Sequence, residues 1–535
     1  NCEHLIVAAA SLVQWLLSSP GVSVLATSRE PLNLMGERMF QVPPLPVPVA
    51  AAIDEILLDC PSVQLFLERA RAARADFELT AGNAGSVNQI VRRLDGIPLA
   101  IELAASRVKL MQPAQIASRL DDCFKILSGG PADALPHHQT IERAINWSYD
   151  MLDLEQKMLF RQISVFRGGF TLDAGSAIMG TEDEFETLDA IGELVDKSLV
   201  RTMPAGEEPR YYMLEPLRQY GAARITADEA AEAGGRHARY FQEFAEGAAP
   251  ELHGPRQLEW LARLETEHDN LRVALVWGLE AGDADLGLRI VTALAWFWLV
   301  RRHMAEAMDW FDRVLADSGG SSSARASALV QSGFTGSVVR HDDLEGCLAQ
   351  IHDGLARFVD LGDEQGIKTA QTYEAVILWF QWDLEASNLK FVEIQAAHRS
   401  YGFEWGDAFC DFFLGSSAWI AGNLTEAGEH GARALEIFRR IGDIVMIAWA
   451  GVRLGNALLE SGRLEEATAL YEESLPMMAD VGDRLGVGTA QLGICASPSI
   501  SRAKPNRPNR CLARRKSISG RVEEVKSYLG PSPTH

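Results

Sequence analysis

The chain has 535 residues, 47% of them hydrophobic and 23% charged, and a formal net charge of −23. This length predicts about three to five domains, and the apolar content excludes wholesale disorder. The acidic balance argues against non-specific binding of nucleic acid or acidic membrane by the chain as a whole, while leaving room for a local basic patch.

Seven cysteines stand at 2, 60, 123, 347, 410, 495 and 511 with no CxxC pair. That argues against a disulfide scaffold or a cysteine zinc site, and a reducing cytoplasm is the expected compartment. The apolar runs at 5–17 and 290–300 are shorter than the ~18–20 residues of a membrane span. Glu3 stands where a signal peptide needs a basic region. The chain opens on Asn rather than Met, so a start inside a longer protein is expected.

In chain order, residues 5–18 read as a helix. Val22-Ser23-Val24-Leu25-Ala26-Thr27 reads as a buried strand, and Arg38-Met39-Phe40-Gln41-Val42 as a second extended segment before a proline-rich linker at 43–48. This is an α/β pattern, in which ligands sit at strand ends. A helical block follows. Ser62 is placed to cap a helix reaching Arg74, and a second helix runs from Gly85 to Leu94. Asp95-Gly96-Ile97-Pro98 then ends one helix and opens the next.

Thr27-Ser28-Arg29-Glu30-Pro31-Leu32 followed by Gly96-Ile97-Pro98-Leu99-Ala100 resembles the signal-transduction (STAND) ATPases of the NB-ARC type. More narrowly, the pair resembles large bacterial ATPase-type transcriptional regulators that carry LuxR-like or antibiotic-regulator DNA-binding domains. The resemblance covers roughly residues 1–300. It implies that Thr27, Ser28 and Arg29 face the nucleotide, with Arg29 as phosphate sensor, and that Gly96, Pro98 and Leu99 approach the base. ATP or ADP with Mg²⁺ is the cofactor of intact relatives. Read alone, Arg29 also suits a surface arginine, and Gly96-Ile97-Pro98 an ordinary helix–helix turn.

No G-x-x-x-x-G-K-[ST] occurs in the chain, and a phosphate cradle needs both that loop and its lysine. Asn1-Cys2-Glu3-His4-Leu5 resembles the family's continuation after its Mg²⁺-holding Asp. The sensor side of the nucleotide site is therefore expected without its phosphate and metal side, and no ATPase activity is expected of this chain.

Residues 138–226 read as a winged helix. Helices are predicted at about 140–151, 154–163 and 185–197, and two strands flank a wing at 204–209. Glu184, Glu186, Asp189, Glu193 and Asp196 against Lys197 make the would-be recognition helix repel a phosphate backbone. In the resembling ATPases the last strand of this unit ends in Met-His-Asp, whose His touches phosphate. Here Met213-Leu214-Glu215 stands in that place. Leu214 replaces the His, and Glu215 keeps an acid that equally suits the first turn of a helix.

From 236 onward the pattern is helix after helix. His268-Asp269-Asn270-Leu271-Arg272 resembles the helical linker of such ATPases. Three registers then recur every 40 residues: Met304, Leu344, Leu384, Leu424, Leu464; Gly362, Gly402, Gly442, Gly482; and Leu315, Leu355, Leu435, Leu475 with Gln395 as the exception. Asp follows the glycine at 363, 443 and 483, and Phe403 breaks that rule. The pattern resembles tetratricopeptide repeats, which stack to bury their apolar faces. The curved surface suits a protein partner or a small-molecule inducer. Trp379, Trp382, Trp405, Trp419 and Trp449 are candidates to line it or to pack between repeats.

Residues 497–535 hold nine Lys+Arg and two Glu, a charge of +7 that leaves −30 on the rest. They read as a basic, proline-broken, disordered tail that either touches nucleic acid or an acidic partner or is a truncated or frame-shifted end with no selected function. No terminal DNA-reading helix-turn-helix is visible.

The expected class is mainly α, in six stretches. Residues 1–48 are the end of an α/β nucleotide domain, 49–135 a helical subdomain, 136–230 a winged helix, and 231–300 a helical linker. Residues 301–496 are an α-solenoid, and 497–535 the tail. The expected function is a signal-responsive transcriptional regulator with a nucleotide-controlled switch and DNA contact only through a domain not visible in this chain. Oligomers are compatible with it and membrane binding is not expected. A repeat scaffold without nucleotide or DNA function is the alternative.

Overall fold

The computed structural model describes residues 6–18, 21–26, 31–40, 42–48, 59–120, 141–205, 208–317 and 319–496. They divide between Tyr240 and Phe241 into two units, both mainly helical. The basic tail lies outside the described residues.

In the first unit, α1 (Ile6–Leu17) forms as predicted, while the two expected strands are not formed among the described residues. Residues 22–26 and 38–40 run without ladder partners, and the only strands among the described residues are a later hairpin. Apolar β-branched residues favour an extended backbone, yet a strand is stable only when neighbours take up its amides and cover its faces. Leu25 is 95% exposed and Phe40 85%.

The helical block follows the predicted order: α2 (Pro61–Ala73), α3 (Ala84–Arg93), α4 (Pro98–Ser106) and α5 (Pro113–Ser118). Val63, Phe66, Leu67 and Ala70 of α2 are buried with Ile101, Ala104 and Ala105 of α4. Ser62 does not cap α2. Cys60 is the N-cap, and Ser62 is a buried first-turn residue 3.4 Å from the Cys60 sulfur, because Pro61 starts the helix one residue earlier.

The winged helix comprises α6 (Ile141–Asp150), α7 (Leu154–Gln162), α8 (Leu172–Met179), α9 (Glu184–Asp196), β1 (Arg201–Ala205), β2 (Glu208–Tyr212) and α10 (Glu215–Ala222). Helix α8 was not anticipated: its eight residues, between the Thr171 N-cap and left-handed Gly180, are too few for a clear period. The hairpin is tighter than expected. Pro204 pairs with Pro209 and Ala205 with Glu208, so both prolines lie in an edge ladder rather than in the turn. Phe170 bridges Tyr211 from outside the hairpin. Phe160, Ile163, Phe170, Ile178, Ile191 and Leu194 form the core.

The second unit continues α11 (Ala227–Glu251) into α12 (Gln257–Ala281), α13 (Ala284–Arg301), α14 (Met304–Ala316) and α15 (Ser322–Val339). Then come α16 (Leu344–Leu361), α17 (Glu364–Phe380), α18 (Leu384–Tyr401), α19 (Glu404–Ile420), α20 (Leu424–Ile441), α21 (Ile444–Glu460), α22 (Leu464–Val481) and α23 (Arg484–Ala496). The 40-residue registers map onto these boundaries. From α16 onward, each second helix starts on the leucine register and stops at a glycine with φ between 67° and 81°, the left-handed cap that glycine takes without strain. Asp363, Asp443 and Asp483 then N-cap the next helix, accepting the N–H of Gly366, Met446 and Gly486. Phe403 offers no side-chain cap. Gln395, the exception in the third register, is 7% exposed and donates to the Asp407 carbonyl.

Among the described residues, no helix is long and apolar enough to cross a membrane.

Candidate functional site

Two places bring predicted residues together, one in each unit. In the first, Asp95 and Gly96 have φ of 50° and 67°, so the turn between α3 and α4 is left-handed at two successive positions. Gly96 is required there: a Cβ would collide with the Leu45 carbonyl, whose own N–H donates to the Gly96 oxygen at 3.0 Å. The proline-rich linker is thereby docked on the turn.

The same turn aims Asp95 at the start of α10. Its Oδ2 accepts the Glu215 backbone N–H at 2.5 Å. A helix start has no internal partner for such a donor, and the α10 N-cap is Leu214, which has no side-chain acceptor. Asp95 supplies that cap from another subdomain.

Glu215 is held by its own helix. Arg218 donates to Oε2 at 2.8 Å and to Oε1 at 2.7 Å, and Gln219 donates to Oε1 at 2.8 Å. Arg218 also donates to the Ser164 carbonyl. Burial pushes the Glu215 carboxyl up, but these bonds and the Arg218 charge outweigh it and leave it below the usual carboxylate range. For Asp95, burial wins. Its carboxyl is pushed up to about 6, against the pull of the Glu215 amide and with the help of the Glu215 charge.

Asp95, Phe166, Phe170, Tyr212, Glu215 and Arg218 are among the residues lining a cleft of about 210 Å³. Of the predicted residues, Glu215 lines it and Gly96 sets the turn behind it. Pro98 and Leu99 open α4 and are not part of its wall. Thr27, Ser28 and Arg29 lie outside the described residues, as does His4. Sequence reasoning missed Asp95, which read as part of a turn, and Arg218, whose signal was its three-residue spacing from Glu215 on a helix. Among the described residues lining the cleft, Arg218 is the one cation and is engaged by Glu215, and Asp95 adds a second carboxylate. On α9, Glu184, Glu186, Asp189, Glu193 and Asp196 are all exposed, so the acidic face meets solvent as expected.

In the second unit the five candidate tryptophans separate. Trp379 packs in the core against Phe413 at 5.6 Å. Trp419 packs on Ala418, Ala427 and Ala457. Trp382 sits on a helix–helix turn with φ 65°. Trp405 and Trp449 meet Trp296 of α13 at 5.6 and 6.1 Å. Their indole N–H groups donate to Asp443 at 2.9 Å and Asp483 at 3.0 Å. Trp296 was visible only as part of an apolar run.

Glu265, His268 and His303 also gather ligand atoms within 4.8 Å of one another. However, His268 Nε2 already accepts the Trp298 indole at 3.2 Å, and Arg301 faces Glu265 at 4.0 Å.

Residues 152–226 match the family model of a winged helix-turn-helix domain, and residues 411–480 that of the tetratricopeptide repeat. Fold and matches together define a protein that joins a winged helix-turn-helix domain to a tetratricopeptide-repeat array. It is a relative of bacterial proteins described as transcriptional regulators. It is 33% identical over 486 residues to "Putative HTH-type transcriptional regulator Rv0890c" of Mycobacterium tuberculosis, covering 88% of this chain and 53% of that protein. It is 37% identical over 244 residues to "Uncharacterized protein Rv0894" of the same organism, covering 45% of this chain and 59% of that protein. The chain thus spans little more than half the length of either relative. A crystal structure of a signal transduction ATPase with numerous domains (STAND) protein with a tetratricopeptide repeat sensor, from Pyrococcus horikoshii, is 13% identical. It covers 88% of this chain and 74% of that one at a TM-score of 0.37, too loose an overlap to carry an argument.

Proposed function

We propose that the chain is the regulatory and sensing part of a signal-responsive bacterial transcriptional regulator acting in the cytoplasm. In this reading the repeat array takes the signal, a protein or a small-molecule inducer, and the winged helix passes it on by moving against the helical block. The observation that carries the reading is the winged helix-turn-helix and repeat array on one chain, aligned over 88% of its length with a protein whose description is "Putative HTH-type transcriptional regulator". The Asp95 cap on α10 supports the second half, because it is a polar contact between the two subdomains.

Nucleotide control belongs to the proposal through Arg29, since among the described residues lining the cleft Arg218 is the one cation and Glu215 already engages it. DNA contact is assigned to a part of the regulator other than the acidic α9. The chain's gene is deleted and transcript levels are compared with the parent strain. A defined set of promoters should change and be restored by the intact gene; an unchanged transcriptome would sink the reading. The cleft wall specifically favours a second reading, a repeat scaffold without nucleotide function. Calorimetric titration with ADP separates the two: weak binding lost in Arg29→Ala supports nucleotide control, and no binding supports the scaffold.

A further inference from the structure

Val452, Leu454, Ala457 and Leu458 of α21 are core residues. Arg453 stands among them, half-buried, with no ion pair or hydrogen-bond partner among the described residues. Burial pulls its guanidinium below the usual arginine range, and no nearby carboxylate pulls it back. Arg161 and Arg218, which are also largely buried, are engaged by Glu229 and Glu215. A charge taken out of water without a counter-charge destabilises a fold, so stability does not account for Arg453. The acids at the two ends of the neighbouring turns are committed elsewhere. Asp443 accepts the Gln257 amide at 2.8 Å and the Trp405 indole at 2.9 Å, and Asp483 accepts Arg302 at 2.8 Å and the Trp449 indole at 3.0 Å. Gln257 in turn accepts the Val445 backbone N–H at 2.9 Å, at the start of the same helix.

What surrounds Arg453 is further donors. Trp449, Arg453, Asn456 and Ala457 share one face of α21 at three- and four-residue spacing. The Asn456 carbonyl oxygen accepts the Tyr471 hydroxyl at 2.8 Å, and its amide NH2 has no acceptor among the described residues. Trp419 packs on Ala457, and its indole N–H is buried without an acceptor. Trp296, 7% exposed and 6.1 Å from Trp449, holds another buried indole N–H without one. Four donor groups without acceptors thus lie on and beside one helix face, and one of them is charged.

We propose that Arg453 and Asn456 hold the carboxylate of a small apolar organic acid, whose body lies against the indoles of Trp449 and Trp419. One guanidinium and one neutral amide match a monoanion, and the planar fork of arginine matches the two oxygens of a carboxylate. A phosphate dianion would be left one charge short. The core residues on both sides of Arg453 favour a small molecule over a peptide chain. The inference rests on the array being the sensing part, as proposed above, and gives its small-molecule signal a chemical class.

The whole chain is labelled with nitrogen-15 at its indoles, and the Trp296 and Trp419 signals are assigned through Trp296→Phe and Trp419→Phe. It is titrated with sodium benzoate and, separately, with benzamide, inorganic phosphate and an apolar pentapeptide with a free C-terminus. Benzoate should shift the Trp419 signal saturably, and the other three should act at least about tenfold more weakly, since each lacks the charge, the planar fork partner or the size. Arg453→Met should weaken benzoate at least about tenfold, the loss of one charge-assisted pair. Its unfolding midpoint without ligand should stay level or rise, because the uncompensated charge is gone. The absence of a saturable benzoate shift would overturn the proposal, as would a response to benzamide, phosphate or the peptide as strong as that to benzoate. So would benzoate binding kept in Arg453→Met, or a lowered midpoint of that variant, which would make the guanidinium a support of the fold. These outcomes leave the regulator reading standing, whereas an unchanged transcriptome sinks that reading and not the site.

Discussion

Asp95 is the residue at which charge and architecture are most closely tied. Its carboxyl titrates near 6 in the folded chain against about 3.8 otherwise, so between those values the folded state holds more proton than the unfolded one. Its contribution to stability therefore falls as pH rises from about 4 to about 6 and is flat above that. Urea unfolding of the first unit across this range should show that slope in the native protein and lose it in Asp95→Asn; an identical slope in the variant would remove Asp95 as the cause. Glu215→Gln should cost about 2 kcal/mol, because it leaves the buried Arg218 guanidinium without its counter-charge. A denaturation midpoint shifted by less than a quarter of that would show that Ser164 alone satisfies the arginine. The motifs drew attention to Glu215 and Gly96, which the structure places on the cleft wall and in the turn behind it. Asp95 and Arg218 were not, because their roles depend on which turn faces which helix start, a fact of tertiary packing that no local spacing contains.

At the scale of elements, the repeat half was readable almost to the residue. A 40-residue period with left-handed glycine caps at 362, 402, 442 and 482 fixes helix ends chemically rather than by hydrophobic pattern alone. The strand expectation for 22–26 failed for the complementary reason, since a strand depends on neighbours and its composition cannot supply them. Trp382 occupies the turn position that Gly422 and Gly462 hold in the next two repeats, and all three have φ between 65° and 79°. Trp382→Gly and Trp382→Ala lose the same indole, but only glycine relieves the backbone. The Gly protein should be the more stable of the two by about 1 kcal/mol in thermal unfolding, and equal midpoints would count against strain there. Helices α15 and α16 approach through Gly333 and Gly354, where a Cβ would meet the Cys347 and Ala326 carbonyl oxygens at 2.6 and 2.8 Å. Gly354→Ala should cost about 1–3 kcal/mol as the pair is forced apart.

For the whole molecule, the net charge of −23 is carried by a body of −30, and the exposed acids of α9 put part of that charge on the face a winged helix would turn toward DNA. Purified chain should show no Mg²⁺-dependent ATP turnover, because its sequence holds no G-x-x-x-x-G-K-[ST]; robust turnover would mean that a different phosphate cradle exists. The bond between Gln257 and Val445 has a further consequence, in the order of events during synthesis. Gln257 and the Val445 amide it binds are 188 residues apart. A ribosome adding about 5–20 residues per second needs roughly ten to forty seconds to make that stretch. During this interval α12 and each new helical pair can stack as they emerge, while the Gln257 amide has only water and the Leu252 carbonyl to bond. That bond therefore forms only after the helices between its two ends have been made.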